Sequence, residues 1–214
     1  MREPVNGLTH YISALFALVG LIVLLMITRD DALKQGSMLI YGTSLVLMFL
    51  SSASYHLVLG QVSVTKFLRK LDHVAIYLLI AGTYTALVFN RFSGIYRSGL
   101  LIAVWSIAFV GILIKFIILK GPRWLSAAPY LVMGWLGVSA IGEMWRLLPV
   151  GALVWLLVGG LFFSIGAVIY ATGRISLIPG VIAAHEIWHI FVILGCLSHY
   201  IMILVYVAPV PRVI

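Results

Sequence analysis

The chain alternates between long apolar runs and short polar segments, a pattern typical of proteins that cross a membrane several times. Seven runs are long enough to span the hydrocarbon core of a bilayer as α-helices, which takes about 20 residues each. These runs cover residues 8–28, 37–59, 73–90, 98–119, 124–142, 150–171 and 180–206. The pattern therefore predicts an all-α membrane protein with seven transmembrane helices.

The segments between the runs are short and hold charged or turn-forming residues. Helices joined by short connections pack antiparallel to their neighbours, so residues 1–214 are expected to form one seven-helix bundle. The composition agrees, since 63% of the residues are hydrophobic and only 9% are charged. A soluble domain could not keep that much apolar surface away from water.

The basic residues predict the orientation of the bundle. The formal net charge is +8, but the 14 Lys and Arg residues lie almost entirely between the apolar runs and form no basic stripe, so nucleic acid is not an expected partner. Eight of them fall on the side of the N-terminus and six on the other side. Because cytoplasmic loops carry more Lys and Arg, the N-terminus is predicted to be cytoplasmic and the C-terminus external.

Polar side chains converge at one end of the predicted bundle. The end of helix two, the start of helix three and the start of helix seven should face the same, cytoplasmic side. Ser52 and His56 are four residues apart, as are His185 and His189, so each pair shares one helix face. An ionisable side chain inside a membrane costs at least ~2.5–3.5 kcal/mol and usually marks a functional site.

These residues suit a catalytic zinc ion. Imidazole is a preferred ligand of Zn²⁺, and three ligands, His56, His185 and His189, leave one tetrahedral position open for water. Asp72 could hold that water or take its proton, because zinc lowers the pKa of water towards ~7. Ser52 could hydrogen-bond the water or Asp72, or stabilise a developing oxyanion.

Simpler interpretations exist for single residues. A lone histidine near a helix end often bonds a neighbouring carbonyl or lies at the membrane interface, and this is our expectation for His10, His73 and His199. Ser52 could bond its own helix backbone, and Asp72 could cap the start of helix three.

The segment HEIWH also matches the H-E-x-x-H signature of zinc metalloproteases, in which the glutamate is the general base. Glu186 is, however, rotated by roughly 100° from His185 on a helix, and Asp72 is the better placed acid. The chain also lacks the Asp-Gly pair that would mark a third ligand. A protease is therefore the less favoured interpretation.

Four motifs together resemble the hemolysin III family, the bacterial branch of the progestin and adipoQ receptors that includes the adiponectin receptors. They are EPVNGLTH near the N-terminus, the S-x3-H of Ser52 and His56, the LDH at 71–73, and PGVIAAHEIWHIF in helix seven. The resemblance implies a seven-helix fold unrelated to G-protein-coupled receptors, in a bacterial plasma membrane, with zinc near the cytoplasmic surface. By motif matching it places the zinc ligands on His56, His185 and His189, the water-holding aspartate on Asp72 and the family's serine on Ser52.

Members of this family have been linked to the hydrolysis of ceramide-like lipid amides. We therefore predict a zinc-dependent hydrolase of a lipid amide, or less favourably an ester, whose substrate is reached laterally or from the cytoplasmic leaflet. Two alternatives remain open: a membrane receptor or sensor with structural zinc, and a cytolytic, pore-forming protein as the name of the branch suggests. No polar stripe follows the whole length of a predicted helix, so no feature supports the pore.

Overall fold

A computed structural model describes residues 3–117, 122–178 and 182–213. The α-helices and strands, in chain order, are α1 Pro4–Ile27, α2 Ala32–Leu57, α3 Val62–Arg91, α4 Gly94–Ile117, α5 Arg123–Gly134, α6 Ile141–Leu147, α7 Val150–Thr172, β1 Ser176–Ile178, β2 Ile182–Ala183 and α8 Ala184–Tyr206. A 3₁₀ helix, Trp135–Ala140, joins α5 to α6.

Within the described residues, seven helical segments are long and apolar enough to cross a membrane. Six of them are single α-helices, and the fifth, Trp124–Leu147, combines α5, the 3₁₀ helix and α6. The predicted seven-helix membrane fold is therefore confirmed, and the protein is a multi-pass membrane protein. The only strands in the described part of the chain, β1 and β2, form a small antiparallel pair between α7 and α8.

Several predicted helix boundaries are wrong; for example, α2 begins at Ala32 rather than at residue 37, and the fifth span ends at Leu147 rather than at 142. Helix α3 begins at Val62 rather than at residue 73, so the basic segment 66–70 is helical and not a break. A hydropathy pattern misses these turns because Lys and Arg are good helix formers that reach the membrane surface with long side chains. Helix α8 begins at Ala184 rather than at 180, because β2 precedes it. Residues 118–119 of the fourth run, 180–181 of the seventh and part of the break at 120–123 lie outside the described residues.

The centre of the bundle is formed by α2, α3 and α8. In their most apolar windows, 56%, 61% and 44% of the residues are buried, against 22–28% in the other four spans. The outer helices instead expose large apolar side chains such as Phe16, Ile102 and Val168, as expected for surfaces that face lipid. Polar side chains on the buried faces of these three helices are therefore shielded from lipid.

The break in the fifth span is held by a side chain from α3. The hydroxyl of Tyr84 donates a hydrogen bond to the carbonyl of Gly134 at 2.9 Å and accepts one from the amide of Gly137 at 2.6 Å. Both backbone groups lie where the α-helix changes to 3₁₀ geometry, so the hydroxyl replaces partners that a continuous helix would supply. Such replacement is required in a bilayer, where water is absent.

Helices α2 and α3 pack closely at Gly82. A β-carbon at this position would lie 2.4 Å from Oγ of Ser44 and 3.2 Å from Cα of Tyr41. Small residues at helix contacts allow the close backbone approach that stabilises membrane bundles. This contact fixes the relative position of the two helices that carry His56 and Asp72.

Asp31 caps the N-terminal end of α2, which is the end opposite to His56. Its carboxylate accepts hydrogen bonds from the backbone amide of Lys34 at 3.0 Å and from Nε of Arg212 at 3.3 Å. The Lys34 amide, reinforced by Arg212, holds the pKa of Asp31 below its usual range. The cap therefore also ties the start of α2 to the segment that follows α8.

Candidate metal centre

Three histidines from two central helices meet at one point. His56 lies at the end of α2, and His185 and His189 lie in the first two turns of α8. Each ring offers one nitrogen, and these three nitrogens all lie within 4.8 Å of one another. His56 and His189 are buried, and His185 is partly buried. The three residues are therefore close enough to bind one metal ion.

The spacing of one pair of rings is close to that of two ligands in a tetrahedral site. The Nε2 atoms of His185 and His189 lie 3.1 Å apart. With metal–nitrogen bonds of ~2.0–2.1 Å, tetrahedral geometry places two ligand nitrogens roughly 3.3 Å apart. Only a small change in these two side chains would be needed to accommodate Zn²⁺, because the i, i+4 spacing already brings both rings to one face of α8.

The orientation of His56 is set by Glu3. Nδ1–H of His56 donates to the carboxylate of Glu3 at 2.6 Å, and the backbone amide of Glu3 donates to the carbonyl of His56 at 3.0 Å. Nε2 is left as the nitrogen available for a metal. Burial raises the pKa of Glu3, but its interactions with His56 and the hydrogen bond from Asn6 outweigh burial and keep this pKa below its usual range.

Glu186, the glutamate of the HEIWH segment, is engaged in holding the start of α8. One carboxylate oxygen accepts from the backbone amide of Ala183 at 2.9 Å, and the other accepts from the side-chain amide of Asn6 at 2.8 Å. A carboxylate at the third position of a helix stabilises its first turn in this way. These contacts favour a structural role for Glu186 over the role of general base in a metalloprotease.

Asp72 and Ser52 lie beside the histidines but outside the group of ligand atoms. The described residues contribute no carboxylate to the cluster within 4.8 Å. Asp72 lies on α3 with its side chain 17% exposed, has Nδ1 of His73 as an ionic neighbour at 3.5 Å, and interacts electrostatically with His56. Ser52 is buried one turn before His56 on α2. Because α3 begins ten residues before Asp72, the alternative that Asp72 caps this helix is wrong.

The other histidines divide into two kinds. His73 and His199 donate to the carbonyls of Arg69 and Leu156 at 2.9 and 3.2 Å, which confirms the expectation for both. His10 differs, because its side chain is buried and neither ring nitrogen has a hydrogen-bond partner among the described residues. Its ring lies 4.1 Å from that of His189, centroid to centroid. The expectation of an interfacial position for His10 is therefore wrong, since its ring is buried beside His189.

The contribution of α1 to this site does not follow from the spacing of the histidines. Glu3, Asn6 and His10 recur at intervals of three and four residues, a spacing that places them on one helix face. That spacing was a usable signal of a polar face on the first helix. Its partners on α8 lie about 180 residues away in the chain, as in the contact between Asn6 and Glu186.

An apolar cavity of about 290 Å³ lies next to the site. Its walls include Met48, four residues before Ser52, and Ile76, four residues after Asp72. Trp188, which precedes His189, lines the cavity too. The cavity thus begins about one helical turn from the polar groups, on the side towards the middle of the bundle, and its apolar walls suit a hydrocarbon chain.

The fold and the site together define a multi-pass membrane protein with a buried three-histidine cluster between its central helices. A family model described as "Haemolysin-III related" matches residues 1–200. The chain belongs to this family, which confirms the resemblance seen in the sequence motifs.

Individual relatives agree with this assignment. The chain is 34% identical to the "Hemolysin-3 homolog" of Bacillus subtilis, over 98% of the chain and 96% of that protein. It is 33% identical to "Hemolysin-3" of Bacillus cereus, over 97% of the chain and 93% of that protein. A more distant relative is the "Monocyte to macrophage differentiation factor" of Homo sapiens, which is 28% identical over 93% of the chain and 82% of that protein. No solved structure matches the chain.

Proposed function

We propose that this protein is a zinc-dependent hydrolase of a lipid amide, acting near the cytoplasmic surface of a bacterial plasma membrane. The observation that carries the proposal is the cluster of His56, His185 and His189, whose ligand nitrogens converge within 4.8 Å inside the membrane-spanning part of the chain. Three imidazoles suit zinc better than magnesium or calcium, which prefer oxygen ligands. Three ligands also leave a fourth position open, as in catalytic zinc sites.

The side chains around the cluster have the properties that amide hydrolysis requires. A bound zinc ion supplies a Lewis acid and lowers the pKa of water towards ~7. Asp72, largely buried next to the cluster, takes the proton of the attacking water and passes it to the leaving amine. The hydroxyl of Ser52 donates a hydrogen bond to the carbonyl oxygen as negative charge develops on it. The surrounding helices exclude bulk water and so strengthen both interactions.

The adjacent cavity supports a lipid as the substrate. Its volume of about 290 Å³ and its apolar walls favour a hydrocarbon chain over a polar molecule. A chain lying against Ile76 and Trp188 would place its polar end one helical turn away, beside Asp72 and His189. The basic residues of the sequence support a cytoplasmic location of the site.

The direct test is turnover in detergent or reconstituted vesicles. We expect the zinc-loaded protein to release fatty acid from a ceramide. His189→Ala should abolish the reaction, whereas Ser198→Ala, a change on the same helix that lies outside both the cluster and the cavity lining, should retain it. Equal turnover by the wild type and His189→Ala would refute the proposal.

A sensor with structural zinc is the second candidate, favoured by a specific observation. The cluster joins α2 to α8, and Glu3 and Asn6 add α1 to the same network, so a bound ion would fix the arrangement of three helices. This candidate predicts that zinc removal lowers the thermal stability of the bundle while the loaded protein hydrolyses neither ceramide nor ester. Fatty acid release that depends on Asp72 would exclude it.

A further inference from the structure

The first turn of α1 forms a polar bridge between two halves of the metal centre. The carboxylate of Glu3 accepts from Nδ1–H of His56 at 2.6 Å. The side-chain amide of Asn6 donates to Glu3 at 3.2 Å and to Glu186 at 2.8 Å. Glu186 in turn accepts from the amide of Ala183, where α8 begins. A continuous set of hydrogen bonds thus runs from His56 on α2, through α1, to the helix that carries the other two histidines.

The bond between Glu3 and His56 has the geometry expected of a partner that orients a metal ligand. A histidine ligand usually donates its second ring N–H to a carboxylate or carbonyl, which fixes the orientation of the ring and raises the basicity of the coordinating nitrogen. The backbone amide of Glu3 also donates to the carbonyl of His56, so the two residues are joined at two points. Glu3 therefore cannot move away from the end of α2 without breaking both contacts.

Stability alone does not account for this arrangement. The side chain of Glu3 is 40% exposed, so solvent screens its charge and weakens what this pair contributes to folding. His56, in contrast, is 1% exposed, so the orientation of its ring depends on protein contacts rather than on water. An exposed carboxylate aligned on the outer nitrogen of a buried histidine affects ligand geometry more than it affects the fold.

We propose that Glu3 is a positioning residue for the metal ligand His56, and that Asn6 couples this positioning to α8 through Glu186. The proposal rests on the metal site of the proposed function but not on the hydrolysis of any lipid. Within it, the first turn of α1 sets the affinity of the site for a metal ion, although it supplies none of the three ligands.

Metal binding is the property that tests this proposal. The affinities for Zn²⁺ and Co²⁺ would be measured by competition with a chelator for the wild type, Glu3→Gln and Glu3→Ala. Glutamine can still accept a hydrogen bond from His56 but carries no charge, whereas alanine removes both. We expect affinity to fall about 10-fold in Glu3→Gln and towards 100-fold in Glu3→Ala. Glu143→Gln is the matched control, because Glu143 forms an ion pair with Arg146 of its own helix, α6, which supplies no ligand to the cluster.

Two further readouts separate positioning from a general structural role. The visible absorption spectrum of bound Co²⁺ should change in Glu3→Ala, because a reoriented His56 alters the coordination geometry. The unfolding temperature of the metal-free protein should be close to that of the wild type in both Glu3 variants. Asn6→Ala should weaken metal binding less than Glu3→Ala, since Asn6 contacts no ligand directly.

The outcomes distinguish this proposal from the proposed function. If the wild type binds Zn²⁺ and Glu3→Ala binds it equally tightly with the same Co²⁺ spectrum, Glu3 has no positioning role and only this proposal is refuted. A loss of affinity matched by an equally large destabilisation of the metal-free variants would also overturn it. A wild type that binds neither ion would instead refute the metal site itself, and with it the proposed function.

Discussion

Replacing Tyr84 with phenylalanine should destabilise the bundle through one missing oxygen atom. The hydroxyl donates a hydrogen bond to the carbonyl of Gly134 at 2.9 Å and accepts one from the amide of Gly137 at 2.6 Å. Both backbone groups lie at the break in the fifth span. Hydrogen bonds between membrane helices average about 0.6 kcal/mol each, but a buried backbone group left without a partner costs ~1–3 kcal/mol. With two such groups and partial relaxation of the 3₁₀ helix, we expect a loss of about 2–4 kcal/mol.

The assay is equilibrium unfolding in mixed detergent, followed by tryptophan fluorescence. Tyr130→Phe is the matched control, because it removes the same atom and one hydrogen bond, to the carbonyl of His73 at 3.1 Å. That carbonyl lies within α3, so the backbone bond of the helix is retained, and we expect a loss of about 1 kcal/mol or less. Equal stabilities of the Tyr84→Phe and Tyr130→Phe variants would refute the view that the hydroxyl replaces missing backbone partners.

Three other outcomes follow from single contacts. Gly82→Ala should lower the free energy of unfolding by about 1–3 kcal/mol, because its β-carbon would lie 2.4 Å from Oγ of Ser44. Adding Ser44→Ala should restore part of this loss in the same unfolding assay. Because the pKa of Asp31 is lowered on folding, its charge should stabilise the protein at neutral pH. The wild type should therefore be more stable than Asp31→Asn at pH 7, and this difference should disappear as the pH falls through about 4 and below. Thermal unfolding of both proteins from pH 7 to 3 measures it, and a difference in unfolding temperature that does not depend on pH would contradict the prediction. Asp72→Asn should lower ceramide turnover by about 10²- to 10⁴-fold while zinc content is retained, and unchanged turnover would rule out Asp72 as the base.

The convergence of the histidines could be predicted from the sequence because it depends on two simple features. The i, i+4 spacing places His185 and His189 on one face of any helix, whatever surrounds it. Seven spans with short connections then bring the end of α2 and the start of α8 to the same side of the membrane. Neither feature requires knowledge of which helices touch.

The contacts of α1 with the site could not be predicted in that way. Asn6 meets Glu186 only because the first and the last helix of the bundle are neighbours, and the order of the spans does not determine this. The same reason explains the error for His10, whose environment is formed by His189 of α8 and Phe49 of α2. Its burial is a property of the assembled bundle rather than of the local sequence.

The break in the fifth span is a second feature that the sequence pattern did not reveal. The apolar run predicts one continuous helix, but the 3₁₀ turns at 135–140 are stabilised by Tyr84 from another helix. In a hydropathy pattern, the tyrosine at position 84 cannot be distinguished from any other aromatic residue. Local geometry in a membrane helix thus depends on polar partners supplied by its neighbours.

The most direct test of the central claim, a zinc site built from three histidines, is the metal content of the purified protein. The wild type, His189→Ala and Asp72→Ala would be compared by elemental analysis after folding has been verified for each. We expect about one zinc per chain in the wild type, little in His189→Ala, and near wild-type content in Asp72→Ala, because Asp72 lies outside the ligand cluster. A folded wild type that holds no metal even after zinc supplementation would contradict the account.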